Sequence, residues 1–141
     1  MANIHQFDQN VRTRFGNIAS DVNGTPLVSA EYVDMANYDL IVGVGLATAV
    51  AVGSTVTLTM YQATTTAGGG SASVCATTFT SLGSTSPIVL IAQVRGEDLS
   101  TTTTFHYVGW IMTTNDADTT VYGAGCLHQM RARYKQATMP T

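Results

Sequence analysis

Polar and apolar residues alternate strictly between positions 55 and 60, and this alternation most constrains the fold of the chain. Val56, Leu58 and Met60 occupy every second position, with threonines between them. Because successive side chains of a β-strand point to opposite faces, the segment predicts a strand with one buried face and one threonine-covered face. Less regular apolar patterns predict further strands near residues 27–33, 40–46, 73–79, 88–95, 105–112 and 119–128.

Composition favours the same kind of fold. Threonine supplies 23 of the 141 residues and glycine 13. Threonine suits strands because its branched side chain is stiff, and glycine-rich or asparagine-rich segments between the predicted strands suit turns. Seven or eight short strands without a convincing long helix predict an all-β, single-domain antiparallel fold: a β-sandwich, a jelly roll or a barrel. We expect an N-terminal arm over residues 1–25, the β-sandwich over 26–130 and a short C-terminal tail over 131–141.

The N-terminal segment has a different pattern, and it leaves two structures open. Ile4, Phe7, Val11, Phe15 and Ile18 recur at intervals of three and four residues. This spacing would place them on one face of a helix, although Gly16 weakens a helix there. Alternatively, the segment is an extended arm whose apolar side chains dock separately on a neighbouring molecule.

Charges are few and unevenly placed. Six basic residues face nine acidic ones, for a net charge of -3, which is too little positive charge for a nucleic-acid-binding surface. Five of the six basic residues lie near the two ends of the chain: Arg12, Arg14, Arg131, Arg133 and Lys135. If the ends lie together, they form a basic pole suited to an acidic protein partner; otherwise they are simply solvated cations.

Motifs for chemistry are weak. Gly43 and Gly45 begin a dinucleotide-loop spacing, but Thr48 stands where the third glycine belongs, so a glycine-bearing strand is the better interpretation. The three histidines are isolated in sequence, and no nucleophile elbow occurs. We therefore expect no enzyme activity, no cofactor, no metal and no small-molecule ligand. The separated cysteines, Cys75 and Cys126, predict buried free thiols rather than a disulfide.

Targeting signals are mostly absent from the sequence. Residues 1–10 lack the pattern of a signal peptide, and the longest apolar run, 40–53, is shorter than the roughly 20 residues of a membrane span. We expect no membrane partner.

Phe105, Tyr107 and Trp110 share one predicted strand, with Tyr107 and Trp110 on opposite faces. A sugar-stacking surface is thus an alternative to core packing.

The order of five short motifs resembles the head decoration, or cement, proteins of tailed bacteriophages. The matching segments are 32–39 (YVDMANYD), 55–64 (TVTLTMYQAT), 94–99 (VRGEDL), 105–108 (FHYV) and 131–134 (RARY). The resemblance implies a β-sandwich or jelly roll that binds the outside of the assembled head as an oligomer, with a homotrimer expected, and bridges subunits of the major capsid protein. It also implies a place on the virion surface after synthesis in the host cytoplasm.

The resemblance covers about residues 32–134 and not the N-terminal segment, so two sets of partner-binding residues are our own hypothesis from the apolar pattern and the charges. Ile4, Phe7, Val11 and Phe15 would fill grooves on a neighbour, and the five terminal cations would orient the protein on an acidic shell. The alternatives are another minor virion component, such as a neck, tail or head-fibre protein, and a carbohydrate-binding β-sandwich module.

Overall fold

A computed structural model of the chain describes residues 11–19, 22, 25–36, 38–82, 87–100, 105–116 and 121–132. Over these residues it has nine strands, and a short 3-10 helix, Gly96–Asp98, follows the seventh. The strands are β1 (Val11–Ala19), β2 (Leu27–Val28), β3 (Val33–Asp34), β4 (Tyr38–Thr48), β5 (Thr55–Ala63), β6 (Ala72–Thr80), β7 (Ile88–Arg95), β8 (Tyr107–Thr114) and β9 (Tyr122–Ala132). Each segment that was expected to contain a strand does so, and the segment near 27–33 is split into β2 and β3.

The strands form two antiparallel sheets. Sheet A has the order β1-β9-β4-β7, and sheet B has the order β2-β8-β5-β6, with β3 also paired to β8. If β2 and β3 count as one interrupted strand, the first strand pairs with the last, the second with the seventh, the third with the sixth and the fourth with the fifth. That is the order of a long hairpin wrapped into a jelly roll, and it confirms the predicted fold class.

The core lies between the sheets and is built from unequal halves. Sheet B contributes its largest buried side chains, including Trp110 and Met60, both fully buried. They lie against glycines of sheet A: a Cβ added to Gly125 would stand 2.5 Å from the Trp110 ring, and one added to Gly43 would stand 2.5 Å from the Met60 sulfur. Gly43 and Gly45 are therefore strand glycines, as expected, and the space they leave admits the side chains of the other sheet.

The N-terminal segment is extended where the structure describes it. Residues 11–19 form β1 and pair with β9, so the helical alternative is wrong for these residues, while Ile4 and Phe7 lie outside the described residues. The pairing moves from Phe15↔Cys126 to Ile18↔Ala124, which inserts one extra residue into β1. Because of the extra residue, an interval of three residues on β1 spans only two residues on β9. An interval of four residues fits a strand without any irregularity, because it is a multiple of two. Intervals of three and four therefore fit this strand, although they are also typical of a helix.

The described C-terminal residues also belong to sheet A. Arg131 and Ala132 end β9, and residues 133–141 lie outside the described residues. The described segments include no helix with the length and apolar character to cross a membrane.

Candidate interaction surface on sheet A

Sheet A carries apolar side chains on the side that faces away from the core as well as on the side that faces it. Along β4 the buried positions are Ile41, Gly43, Gly45 and Ala47, and the intervening, more exposed positions carry leucine and valine. The cross-strand partners of those outward positions on β7 and β9 are also mostly apolar. We call this surface the apolar face; its residues are Leu40, Val42, Val44, Leu46, Val89, Ile91, Ala124, Cys126 and Met130.

Cross-strand pairing makes the apolar face continuous. Val44 is paired with Ile91 on one side and Cys126 on the other, and Leu46 is likewise paired with Val89 and Ala124. Neighbouring strands lie about 4.8 Å apart, so the side chains of each row touch or nearly touch. The exposed fractions are large: 59% for Ile91, 56% for Val89 and 43% for Leu46. Water therefore meets a contiguous aliphatic surface, which is the usual mark of an interaction site.

Two polar residues, Gln93 and His128, flank Val42 in the next row of the same face. The thiol of Cys126 lies 3.5 Å from Nε2 of His128, two residues along β9. Partial burial raises the pKa of Cys126, so its thiol stays protonated at neutral pH. A protonated cysteine behaves as a small apolar side chain, which is why we count it with the apolar face.

The outer face of sheet B has the opposite character. β5 turns Val56, Leu58 and Met60 inward and leaves its threonines half-exposed, as the alternation predicted. The hydroxyls of Thr57 and Thr78 lie 2.9 Å apart across β5 and β6. Hydroxyls and methyl groups together make a strand surface that water solvates without cost, so this face gives no sign of a missing partner.

The two sheets meet along β6 and β7. The hydroxyl of Thr77 donates to the carbonyl oxygen of Ile91 at 3.0 Å, and the thiol of Cys75 donates to that of Gln93 at 3.3 Å. Burial raises the pKa of Cys75, and the nearby carboxylate of Asp98 adds to the effect. Both cysteines are free, as predicted, but each is only partly buried and not buried as expected.

The predicted cationic residues fall partly within the described structure. Arg12 and Arg14 lie on β1, opposite Gln129 and Leu127 of β9, and Arg131 follows Met130 near the end of β9. The backbones of these three residues thus belong to adjacent strands. Their side chains, like those of Val11 and Phe15 on β1, are outside the description, as are Arg133 and Lys135 altogether.

Arg95 is close to the same end of sheet A. It pairs with Leu40, which pairs in turn with Met130, and Met130 pairs with Val11. Its guanidinium donates to Glu97 at 3.3 Å, but both side chains are mostly exposed, so this ion pair contributes little stability.

The aromatic residues do not form the sugar-stacking surface considered above. Trp110 is completely buried against Gly125 and cannot stack on a ligand, so the part of that hypothesis that relied on it is wrong. Tyr32 instead covers the small residues Gly68 and Gly109, and its partial burial raises its pKa. Tyr107 lies on the same strand as Trp110, β8, at a position that faces away from the core, and it is half-buried.

Sequence reasoning missed the apolar face, although a signal was present. The segments 40–46 and 88–92 are apolar at nearly every position, not at every second one. Such runs indicate strands that are covered on both sides. The sandwich covers only one side of β4 and β7, so the other side is the surface that the sequence already marked for burial.

Comparison with known proteins supports the fold. No model of a known protein family matches the sequence, and no curated protein matches it. Among solved structures, the chain is similar to a chain of infectious bursal disease virus, Gx strain, with a TM-score of 0.54 and 12% identity over 89% of this chain and 33% of that one. It is also similar to VP2 of the subviral particle of infectious bursal disease virus, with a TM-score of 0.53 and 13% identity over 86% of this chain and 32% of the other.

The chain thus spans about a third of the length of these viral proteins. At such low identity the likeness concerns the fold: an all-β sandwich of the kind found in proteins of a virus particle.

Proposed function

We propose that this protein is a virion structural protein that decorates the outside of an assembled phage head as a homo-oligomer and stabilises it by bridging subunits of the major capsid protein. The observation that carries the proposal is the apolar face of sheet A, which is too large and too exposed for a protein that works alone. The similarity of the fold to viral particle proteins and the motif resemblance to decoration proteins support the same role.

The size of the subunit favours oligomerisation. A domain of 141 residues has a radius of gyration of about 14 Å, so one subunit covers only a small patch of a shell. A homotrimer would enlarge that footprint and combine several weak contacts into strong binding by avidity.

Stabilisation follows from linkage. A protein that binds the closed lattice and not the opened one adds its binding free energy to the work of opening the shell. In this proposal the cations Arg12, Arg14, Arg131, Arg133 and Lys135 orient the protein on an acidic shell, while Ile4, Phe7, Val11 and Phe15 anchor its N-terminal segment. The role is mechanical, and it assigns no catalytic step, cofactor or metal to the chain.

Copy number on purified particles tests the proposal. Quantitative mass spectrometry of virions should find the protein in hundreds of copies, in a fixed ratio to the major capsid protein. A handful of copies would instead place it at the neck, the tail or a head fibre, and complete absence would overturn the virion assignment.

The anchoring role of the N-terminal segment needs a deletion that spares the fold. Removing residues 1–20 would strip β1 from sheet A, so the informative variant lacks only residues 1–10. We expect this variant to keep its β-sheet circular dichroism and to lose occupancy on particles. Unchanged occupancy would refute the role of Ile4 and Phe7.

A further inference from the structure

We propose that the apolar face of sheet A is the surface through which copies of this chain bind one another, so that the capsid is contacted by another part of the molecule. The inference rests on the proposed homo-oligomer and names the surface that holds it together. It is carried by the apolar character, the charge and the area of that face.

Both faces of sheet A are apolar. The face toward the core holds isoleucine, leucine and valine beside its three glycines, and the face away from the core also holds valine, leucine and isoleucine. A sandwich whose second sheet needed no partner would carry polar residues outside, as β5 does with its threonines. Sheet A is composed as a middle layer, with a second apolar layer expected on its outer side.

The three central rows of the apolar face carry no charged side chain on the described residues of β4, β7 and β9. The three rows from Gln93 through Val89 contain no Asp, Glu, Lys or Arg among the described residues of β4, β7 and β9. A surface that meets an identical surface brings like charges together, so self-association favours an uncharged face. The charged Arg95 and Glu97 lie at one end, beyond these rows. Homo-oligomer interfaces are also more apolar than interfaces between transient partners.

The area of the face also fits a second copy. The strands of sheet A have between 8 and 11 residues each. At about 3.3 Å per residue and about 4.8 Å between strands they present a face of about 600 Å², at the lower end of the roughly 600–1,000 Å² per partner in a standard stable interface. Aligned sheets pack face to face at about 10 Å, which is the same packing that holds the sandwich together.

Residues 1–10 and 133–141 match this face less well than a second copy does. The ten residues before β1 hold three large apolar side chains, Met1, Ile4 and Phe7, and the nine after Ala132 hold Tyr134 and Met139. One extended segment covers a strip about 5 Å wide, against about 19 Å for four strands. A second copy is the occupant that matches both the width and the apolar character.

Light scattering on the full-length chain, free of capsid, tests the inference. We expect an oligomer for the natural sequence and a folded monomer for Ile91→Lys, because a lysine placed in the middle row of the apolar face must be desolvated without a partner. Loss of this contact should raise the dissociation constant about 30-fold or more. Thr113→Lys, at an exposed position on the outer face of sheet B, is the matched control and should stay oligomeric. If Ile91→Lys fails to fold, Ile91→Thr keeps the strand propensity and should still weaken association.

Thiol labelling gives a second, local measurement. Cys126 lies on the apolar face and Cys75 lies on the other sheet. Alkylation of Cys126 should be slow in the oligomer and faster in Ile91→Lys, while the rate at Cys75 should be the same in both. Equal rates at Cys126 would mean that the oligomer forms through a different surface, and the inference would be wrong.

The outcomes also separate this inference from the proposed function. A natural chain that is monomeric in solution but saturates particles would overturn the inference and leave the decoration role standing. An oligomer that never occurs on particles would overturn the decoration role and leave the inference standing. If Ile91→Lys stays oligomeric and yet loses particle binding, the apolar face docks on the shell instead of on a second copy.

Discussion

Sheets A and B share one core and one chain, but their outer faces differ. Sheet B places Trp110, Met60 and Leu58 in the core and threonines in water. Sheet A places glycines beside isoleucine, leucine and valine in the core, and it places a second set of aliphatic side chains in water. Interior packing alone therefore does not account for the composition of sheet A, since its outward aliphatic side chains contribute nothing to the core of the single subunit. The difference is consistent with the proposal that sheet A, and not sheet B, meets a partner.

The largest expected effect tests the contribution of sheet B to the core. Trp110→Ala removes a fully buried ring and should lower the free energy of unfolding by about 3–5 kcal/mol, as measured by urea denaturation. The adjacent Ile111 faces outward and is half-buried, so Ile111→Ala should cost about 1 kcal/mol. Equal losses for the two variants would contradict the inward placement of the bulk of β8.

The next effect tests the glycines of sheet A. Gly125→Ala puts a methyl group 2.5 Å from the rigid Trp110 ring and should cost about 1–3 kcal/mol. Ala124→Val, one residue earlier and on the apolar face, should change the stability of the monomer by less than about 0.5 kcal/mol. The comparison is sharpest in a monomeric background such as Ile91→Lys. A harmless Gly125→Ala would mean that the sheets have room to separate.

A smaller effect is expected on the threonine face. Thr57→Ala removes one hydroxyl of the 2.9 Å pair with Thr78, and such exposed cross-strand pairs contribute about 0.2–1 kcal/mol. A double-mutant cycle with Thr78→Ala isolates the coupling from the loss of methyl contacts. A coupling energy well above about 1 kcal/mol would show that the outer face of sheet B is sequestered from water and not solvated.

The smallest effect is a pH dependence. Burial raises the pKa of Cys75, Cys126 and Tyr32, so the folded state holds these protons longer than the unfolded chain. Their contribution to stability is complete below the ordinary thiol pKa of about 8.5 and is lost as pH rises through the raised values. The free energy of unfolding should therefore be lower at about pH 9.5 than at pH 7. The double variant Cys75→Ala, Cys126→Ala should lose less stability over this interval, and an identical loss would exclude the thiols as its source.

The sequence predicted much of the fold because local patterns decide strands. The alternation from 55 to 60 identified β5 and its two faces, and turn residues separated the other strands. The interruption between β2 and β3 could not be foreseen, because it depends on tertiary contacts such as the bond from the backbone nitrogen of Ser29 to the carbonyl of Trp110. The irregular pairing after Phe15 was hidden for the same reason.

The candidate surface was less accessible to sequence reasoning. An apolar run tells that both faces of a strand avoid water, but it does not tell which face the fold itself covers. That choice follows from the fit of Gly43 to Met60 and of Gly125 to Trp110, residues that are 17 and 15 positions apart in the sequence and on different sheets. The sequence predicted a basic pole only if the two ends of the chain lie together. The pairing of β1 with β9 places the backbones of Arg12 and Arg131 on adjacent strands.

The bonds from Thr77 and Cys75 to the backbone of β7 also bear on fibre formation. Edge strands offer carbonyl and amide groups to any incoming strand, and growth along such an edge has no natural end. Here two carbonyls of that edge already accept hydrogen bonds from the side chains of β6. Growth by edge-to-edge strand addition into fibres is thus opposed on this side of sheet A.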